Sequence, residues 1–189
     1  MKVLCLVDLQ NDFIDGVLGT TEAQTIVPKV VEKINNYSDK ENTLLLFTKD
    51  THYADYLDTL EGTMLPVPHC IENTHGWSIN KEIKRAVKSN NFLKYSSDKI
   101  IKSRIYKNTF GSDDLREFLE KFKDKIESVE FVGLCTSICV LSNAIMARQT
   151  LPNTEIYVDA SCCACVTPDS HKHALEAMKM CQINVIGEE

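Results

Sequence analysis

The chain has 189 residues, of which 43% are hydrophobic and 25% are charged, and it carries a formal net charge of −6. This length and composition predict one globular domain over residues 1–189 that can bury a full core. The acidic balance, with an isoelectric point near 5.4, gives no electrostatic reason to expect nucleic acid or an anionic membrane as a partner. We therefore expect the partner to be a small molecule or another copy of the chain.

The N-terminal segment does not resemble an export signal. Its apolar run is short, ends at the acidic residue Asp8 and lacks a cleavage region. No segment approaches the roughly 20 consecutive apolar residues that span a bilayer. We therefore expect a cytoplasmic location, where the 8 cysteines would be buried thiols, catalytic groups or ligands rather than disulfides.

Strands and helices are predicted to alternate along the chain. Apolar runs rich in leucine and β-branched residues predict strands at residues 2–8, 43–49, 99–106, 129–133, 155–159 and 184–186. Apolar residues at three- and four-residue spacing predict helices at residues 24–36, 79–89, 113–122, 136–149 and 168–180. Thr167 is a plausible N-cap of the last helix, with Pro168 at its first position. The alternation predicts a three-layer α/β/α fold with a mostly parallel six-stranded sheet.

Ligands of such sheets bind beyond the carboxyl ends of the strands. The residues that follow the strands are therefore the first candidates for function: Asp8, Asp50, His52, Lys107, Cys135, Cys139 and Asp159.

The first predicted strand leads into Val7-Asp8-Leu9-Gln10-Asn11-Asp12-Phe13. This places the carboxylate of Asp8 at the edge of the sheet, where it could accept a proton from a nucleophile. On local grounds alone, a capping or turn aspartate is equally consistent with the pattern.

The second predicted strand is followed by Asp50-Thr51-His52 and then, after a long stretch without periodicity, by His69. The length of residues 50–77 favours a functional loop. One carboxylate and two imidazoles suit zinc, iron or manganese and leave positions open for water or substrate. A polar loop with capping side chains is the structural alternative.

The fourth predicted strand ends in glycine and turns directly into a helix, which puts Cys139 in the first turn of that helix. Free N–H groups and the positive end of the helix dipole favour a thiolate there. The amides of Cys139 and Cys135 could also hold a developing oxyanion. The alternatives are two buried, inert thiols or, with less support from the spacing, a zinc site.

A second cysteine group follows the fifth predicted strand. Cys162, Cys163 and Cys165, with His171 and His173 further on, look like a metal cluster. Their spacing matches no common zinc pattern, so we expect no metal there. Cysteines of this group that are exposed could still be oxidised.

Together, the Asp-x-Gln-Asn-Asp-Phe motif near the N-terminus and Gly-Leu-Cys-Thr-Ser-Ile-Cys-Val at residues 133–140 closely resemble the isochorismatase-like cysteine hydrolases, which include the nicotinamidases. The resemblance implies a triad in which Asp8 accepts a proton and Cys139 is the nucleophile. It assigns the triad lysine to Lys107, in Lys-Asn-Thr-Phe-Gly-Ser, in preference to Lys102. It also suggests a homo-oligomer.

The predicted metal segment carries the same resemblance. Nicotinamidases have an Asp-x-His after the second strand and a Pro-x-His-Cys further on, as Asp50, His52 and His69 do here. In that branch the metal holds the pyridine nitrogen of nicotinamide, whereas isochorismatases proper lack this set. Phe13 and Trp77 are aromatic candidates for lining a ring pocket, although Trp77 could instead pack in the core.

The leading hypothesis is a metal-dependent nicotinamidase that converts nicotinamide to nicotinate and ammonia through a cysteine thioester. Its cofactor would be a divalent metal, zinc first, with iron or manganese as alternatives. The second hypothesis is a related cysteine amidase that acts on an N-carbamoyl or ureido compound. A third is a catalytically silent member that only binds ligands.

Overall fold

The computed structural model describes residues 1–92 and 104–188. Its sheet has six strands in the order β3-β2-β1-β4-β5-β6, and all the pairings are parallel. The predicted three-layer α/β/α fold with a mostly parallel six-stranded sheet is thereby confirmed. The strands are β1 Lys2–Val7, β2 Thr43–Asp50, β3 Arg104–Lys107, β4 Ser128–Leu134, β5 Glu155–Ala164 and β6 Asn184–Ile186.

Helices cover both faces of this sheet. The described helices are α1 Asn11–Ile14, α2 Thr21–Asn36, α3 Leu60–Met64, α4 Lys81–Lys88, α5 Asp113–Phe122, α6 Leu141–Thr150 and α7 Pro168–Met180. A π-helical turn, Thr136–Val140, precedes α6. None of the helices in the described ranges has the length and apolar character needed to cross a membrane.

The core lies in two layers because successive side chains of a strand point to opposite faces of the sheet. In β1, Val3 and Cys5 face the layer that α5, α6 and α7 cover, while Leu4 and Leu6 face the layer that α2 and α4 cover. All four side chains are fully buried. This two-sided burial explains why β1 reads as a continuous apolar run rather than as an alternating one.

Local capping sets where the helices begin. The Thr20 hydroxyl accepts a hydrogen bond from Ala23 N at the start of α2. At the start of α7, Thr167 and Ser170 form a capping box with Pro168 in the first turn, as the sequence predicts for Thr167 and Pro168.

The structure differs from the prediction mainly at the carboxyl edge of the sheet. Strand β5 continues to Ala164 instead of ending at residue 159, so the cysteine-rich segment belongs largely to the sheet. The predicted long loop contains the short helix α3. Of the strand predicted over residues 99–106, residues 99–103 lie outside the described ranges, and with them Lys102.

Candidate active site

Asp8 lies where β1 ends and the chain turns away from the sheet. Its backbone takes a left-handed conformation, with φ of 47°, and its side chain is completely buried. The hydroxyl of Thr48, on the neighbouring strand β2, donates a hydrogen bond of 2.7 Å to Asp8 Oδ1. The sheet therefore holds this carboxylate away from solvent in a fixed orientation.

Lys107 is the last residue of β3, and its buried ammonium group contacts three functional candidates. Lys107 Nζ lies 2.7 Å from Asp8 Oδ2, 3.4 Å from Cys139 Sγ and 3.4 Å from Asp50 Oδ1. Burial lowers the pKa of this lysine, but the surrounding Asp8, Cys139 and Asp50 outweigh burial and raise it above its ordinary value. Lys107 is therefore a fixed positive charge between the other groups.

Cys139 lies in the π-helical turn after β4, with only 7% of its surface exposed. The side-chain amide of Asn143, one turn further along the chain, donates a hydrogen bond of 2.7 Å to the backbone oxygen of Cys139 and fixes the turn. Burial first, and the Asp8 carboxylate second, raise the pKa of the Cys139 thiol well above its ordinary value, while Lys107 opposes them. This environment favours the thiol, which differs from the expected resting thiolate.

The pKa of Asp8 is raised, as is that of Cys139. Burial raises the pKa of Asp8, and the attraction of Lys107 opposes this without cancelling it. A raised pKa makes the Asp8 carboxylate a stronger base, and the ammonium of Lys107 contacts both this carboxylate and the Cys139 thiol. The geometry thus suits a base beside a cysteine nucleophile.

Asp50, His52 and His69 form a second group beside this one. Asp50 Oδ2 lies 3.1 Å from His52 Nε2 and 3.4 Å from His69 Nε2, and all three residues are buried. Burial raises the pKa of Asp50, but the hydrogen bonds to the two histidines and the charge of Lys107 outweigh burial and hold this pKa below its ordinary value. The His69 ring is oriented by a 2.8 Å contact between its Nδ1 and the backbone oxygen of Val67.

Glu61 completes this group, although the sequence analysis did not identify it. Its Oε1 lies 3.7 Å from His52 Nε2 and 3.9 Å from His69 Nε2, and one ligand atom from each of the four residues lies within 4.8 Å of the others. The signal available in the sequence was an acidic residue inside the long loop between the two histidines. Two imidazoles and two carboxylates fit a divalent transition metal such as zinc, iron or manganese.

The two aromatic candidates occupy different places. The Phe13 ring lies 5.5 Å from the His69 ring, next to the possible metal ligands. Trp77 instead stacks on Tyr106 at 5.7 Å, and the ammonium of Lys49 lies over its ring. Lys49 and Tyr106 immediately precede Asp50 and Lys107 on their strands, so they point to the opposite face of the sheet. The structure therefore places Phe13 beside the possible metal ligands, whereas the Trp77 ring packs against Lys49 and Tyr106 and its indole N–H donates to the hydroxyl of Thr51 at 2.9 Å.

A cavity of about 690 Å³ opens beside the histidine group. His52 and Glu61 are among the residues that line it, as are residues 108–110, which follow Lys107. Leu60 and Met64, on α3, lie at its rim with 81% and 80% of their surfaces exposed. The cavity provides an apolar approach for a small molecule.

The remaining cysteines have different surroundings. Burial raises the pKa of Cys135 to about 12, and its side chain packs against the core. In the second cysteine group, Cys165 Sγ lies 2.9 Å from the Ser137 hydroxyl, and His171 Nδ1 lies 2.8 Å from the Thr136 hydroxyl. Within residues 1–92 and 104–188, the four-residue group around Asp50 is the only one arranged to hold a metal ion.

The sequence is similar to that of the isochorismatase domain and to those of nicotinamidases. A sequence model described as the isochorismatase domain matches residues 2–189. The nicotinamidase of Saccharomyces cerevisiae is 27% identical over 225 aligned positions that cover all of both chains. The nicotinamidase/pyrazinamidase of Mycobacterium tuberculosis is 26% identical over 98% of this chain and 98% of its own.

Solved structures share the fold. The nicotinamidase/pyrazinamidase of Bacillus subtilis superposes with a TM-score of 0.79 at 24% identity, over 98% of each chain. The pyrazinamidase of Pyrococcus horikoshii, solved in complex with zinc, superposes with a TM-score of 0.74 at 24% identity, over 99% of each chain.

Proposed function

The chain belongs to the isochorismatase family, and we propose that within it this protein is a nicotinamidase, a hydrolase that releases ammonia from the carboxamide of nicotinamide. The observation that carries the proposal is the position of Lys107 Nζ, 3.4 Å from both Cys139 Sγ and Asp50 Oδ1. A thiol and a possible metal group that share one lysine lie close enough for one small aromatic amide to meet both.

The first step we propose is a proton transfer. Asp8 accepts the proton of the Cys139 thiol as the sulphur attacks the carboxamide carbon. Lys107 Nζ lies 2.7 Å from Asp8 Oδ2 and stabilises the Asp8 carboxylate before the proton is transferred. During the transfer it stabilises the negative charge that develops on the Cys139 sulphur. This assignment is supported by the contact of both groups with Lys107, because a buried thiol whose pKa is raised needs a nearby base to become nucleophilic.

The second part of the reaction separates the products. The protonated Asp8 returns its proton to the departing nitrogen, which leaves as ammonia, and the acyl group remains on Cys139 as a thioester. Water activated by Asp8 then cleaves the thioester and releases nicotinate. We propose that the backbone N–H groups of Cys139 and Cys135, which follow the end of β4, donate hydrogen bonds to the negatively charged oxygen that forms when the carboxamide is attacked.

Asp50, His52, His69 and Glu61 would hold a divalent metal, for which we propose zinc, with iron or manganese as alternatives. Bound there, the metal would supply a Lewis acid for the ring nitrogen of the substrate. Phe13, beside His69, would pack against the ring. These residues orient the ring so that its carboxamide reaches Cys139.

A substrate panel tests this proposal. Nicotinamide, pyrazinamide and an N-carbamoyl amino acid would be incubated with zinc-loaded protein, and the acids formed would be separated chromatographically. We expect nicotinate and pyrazinoate, and no hydrolysis of the carbamoyl compound. Hydrolysis of the carbamoyl compound alone would overturn the proposal in favour of a carbamoyl or ureido amidase.

A further inference from the structure

The side chain of Gln10 is fully buried beside the possible metal ligands, yet it touches none of their side chains in the described contacts. Its Oε1 accepts a hydrogen bond of 2.7 Å from Asp50 N. Its Nε2 donates to Asp50 O at 2.8 Å and to Trp77 O at 3.1 Å. One side-chain amide therefore pairs both backbone groups of Asp50.

The sheet explains why Asp50 needs this partner. The pairing of β1 with β2 ends at Val7 and Thr48, because the chain turns away at Asp8. Strand β2 continues to Asp50, which is still paired with Lys107 of β3 on its other side. On the β1 side, the N–H and C=O of Asp50 extend past the end of the neighbouring strand, and buried backbone groups without partners are costly. The Gln10 amide takes the place of the missing strand.

We propose that Gln10 is a positioning residue that holds the backbone of Asp50 so that its carboxylate can bind a divalent metal. The inference rests on the metal site of the proposed function. Asp50 Oδ2 lies 3.1 Å from His52 Nε2 and 3.4 Å from His69 Nε2, so a shift of the Asp50 backbone changes the spacing of the ligand set. Gln10 acts through Asp50 and contributes no ligand of its own.

The chemistry of the site is specific for glutamine. The position requires one acceptor for Asp50 N and two N–H donors for the backbone oxygens of Asp50 and Trp77, and a carboxamide carries this combination. Glutamate would keep the acceptor and lose the donors. Methionine has a similar length but offers no strong donor or acceptor.

The test compares the zinc affinity of purified wild-type protein, Gln10→Met and Asn11→Leu by competition with a chromogenic chelator. Asn11 is the matched control, because its side-chain amide donates to the backbone oxygen of His75 at 2.8 Å and contacts no part of Asp50 in the described hydrogen bonds. We expect the Kd for zinc to rise about 10- to 100-fold in Gln10→Met, as for other residues that orient metal ligands, and to stay at the wild-type value in Asn11→Leu.

A purely structural role would lower the unfolding temperature of both variants and leave the zinc Kd of both unchanged, and that result would overturn the inference. If Gln10→Met does not fold, Gln10→Glu serves in the same assay, with the absorption spectrum of bound Co²⁺ as a second readout. A wild-type spectrum and affinity in Gln10→Glu would then count against the inference. Absence of zinc binding by the wild-type protein would overturn the metal part of the proposed function together with this inference, whereas wild-type affinity in Gln10→Met overturns the inference alone.

Discussion

Removal of the Lys107 charge is expected to destabilise the fold strongly. In Lys107→Met the completely buried carboxylate of Asp8 loses a cation at 2.7 Å, while a side chain of similar length fills the space. Breaking a buried ion pair by removing one partner costs about 3–5 kcal/mol. For a chain of this length, each kcal/mol lowers the unfolding temperature by about 2–4 °C, so we expect a fall on the order of 10 °C.

The stability lost in Lys107→Met should depend on pH. Lys107 lowers the pKa of Asp8, so without it the folded-state pKa of Asp8 rises further above the unfolded value of about 3.9. A group with a raised folded-state pKa contributes stability that is fully present below its unfolded pKa and is lost as pH rises through its folded pKa. The stability gap between wild-type protein and Lys107→Met should therefore narrow as pH falls from 7 towards about 4.

Urea unfolding of the single variant and of Asp8→Asn/Lys107→Met measures this effect. If the unpaired charge is the cause, the double variant should recover a large part of the lost stability, since it removes both charges. The exposed residue Lys179 supplies a control, and Lys179→Met should change stability little. A double variant no more stable than Lys107→Met would refute the reasoning, because the loss would then come from packing.

Three further results are expected. Cys139→Ser should retain wild-type zinc affinity and lose at least about 1000-fold in kcat for amide hydrolysis, measured by ammonia release; residual activity close to wild type would exclude Cys139 as nucleophile. Glu61→Ala should weaken zinc binding by about tenfold or more in a chelator competition, whereas an unchanged Kd would leave only three ligands. Lys33 and Ser161 hold the pKa of Asp159 below its ordinary value against the effect of burial, so this carboxylate contributes stability above its unfolded pKa that is lost as pH falls through its folded pKa. In Lys33→Met the free energy of unfolding should therefore fall less steeply as pH is lowered through the pKa of Asp159. An unchanged pH dependence would contradict the assignment of this effect to the Lys33–Asp159 pair.

Much of the fold could be predicted because its signals are local. The apolar run of β1 and the Thr167-Pro168 start of α7 both depend on residues that are near each other in the chain. The extension of β5 to Ala164 was missed because its later pairing, Gly133 with Cys163, follows a register shift between strands. Such a shift has no signature within a single strand.

The candidate site could be predicted in part, because the carboxyl ends of parallel strands bring the residues at those ends to the same edge of the sheet. Asp8 follows β1 and Lys107 ends β3 at the same edge of the sheet, so the parallel topology makes both of them candidates, while the family resemblance selected Lys107 as the triad lysine. Glu61 could not be ranked above other acidic residues, because its approach to the two histidines depends on the short helix α3, which the sequence analysis did not predict within the long loop. The high pKa of the Cys139 thiol was also missed, since burial, its largest cause, is a tertiary property.

Ammonia release from nicotinamide by zinc-loaded protein, with Cys139→Ala treated in the same way, tests the central claim most directly. The account predicts release by the wild-type protein in a one-to-one ratio with nicotinate, and none above background by Cys139→Ala. No release by wild-type protein that has bound zinc and retains a thiol reactive towards iodoacetamide would contradict it.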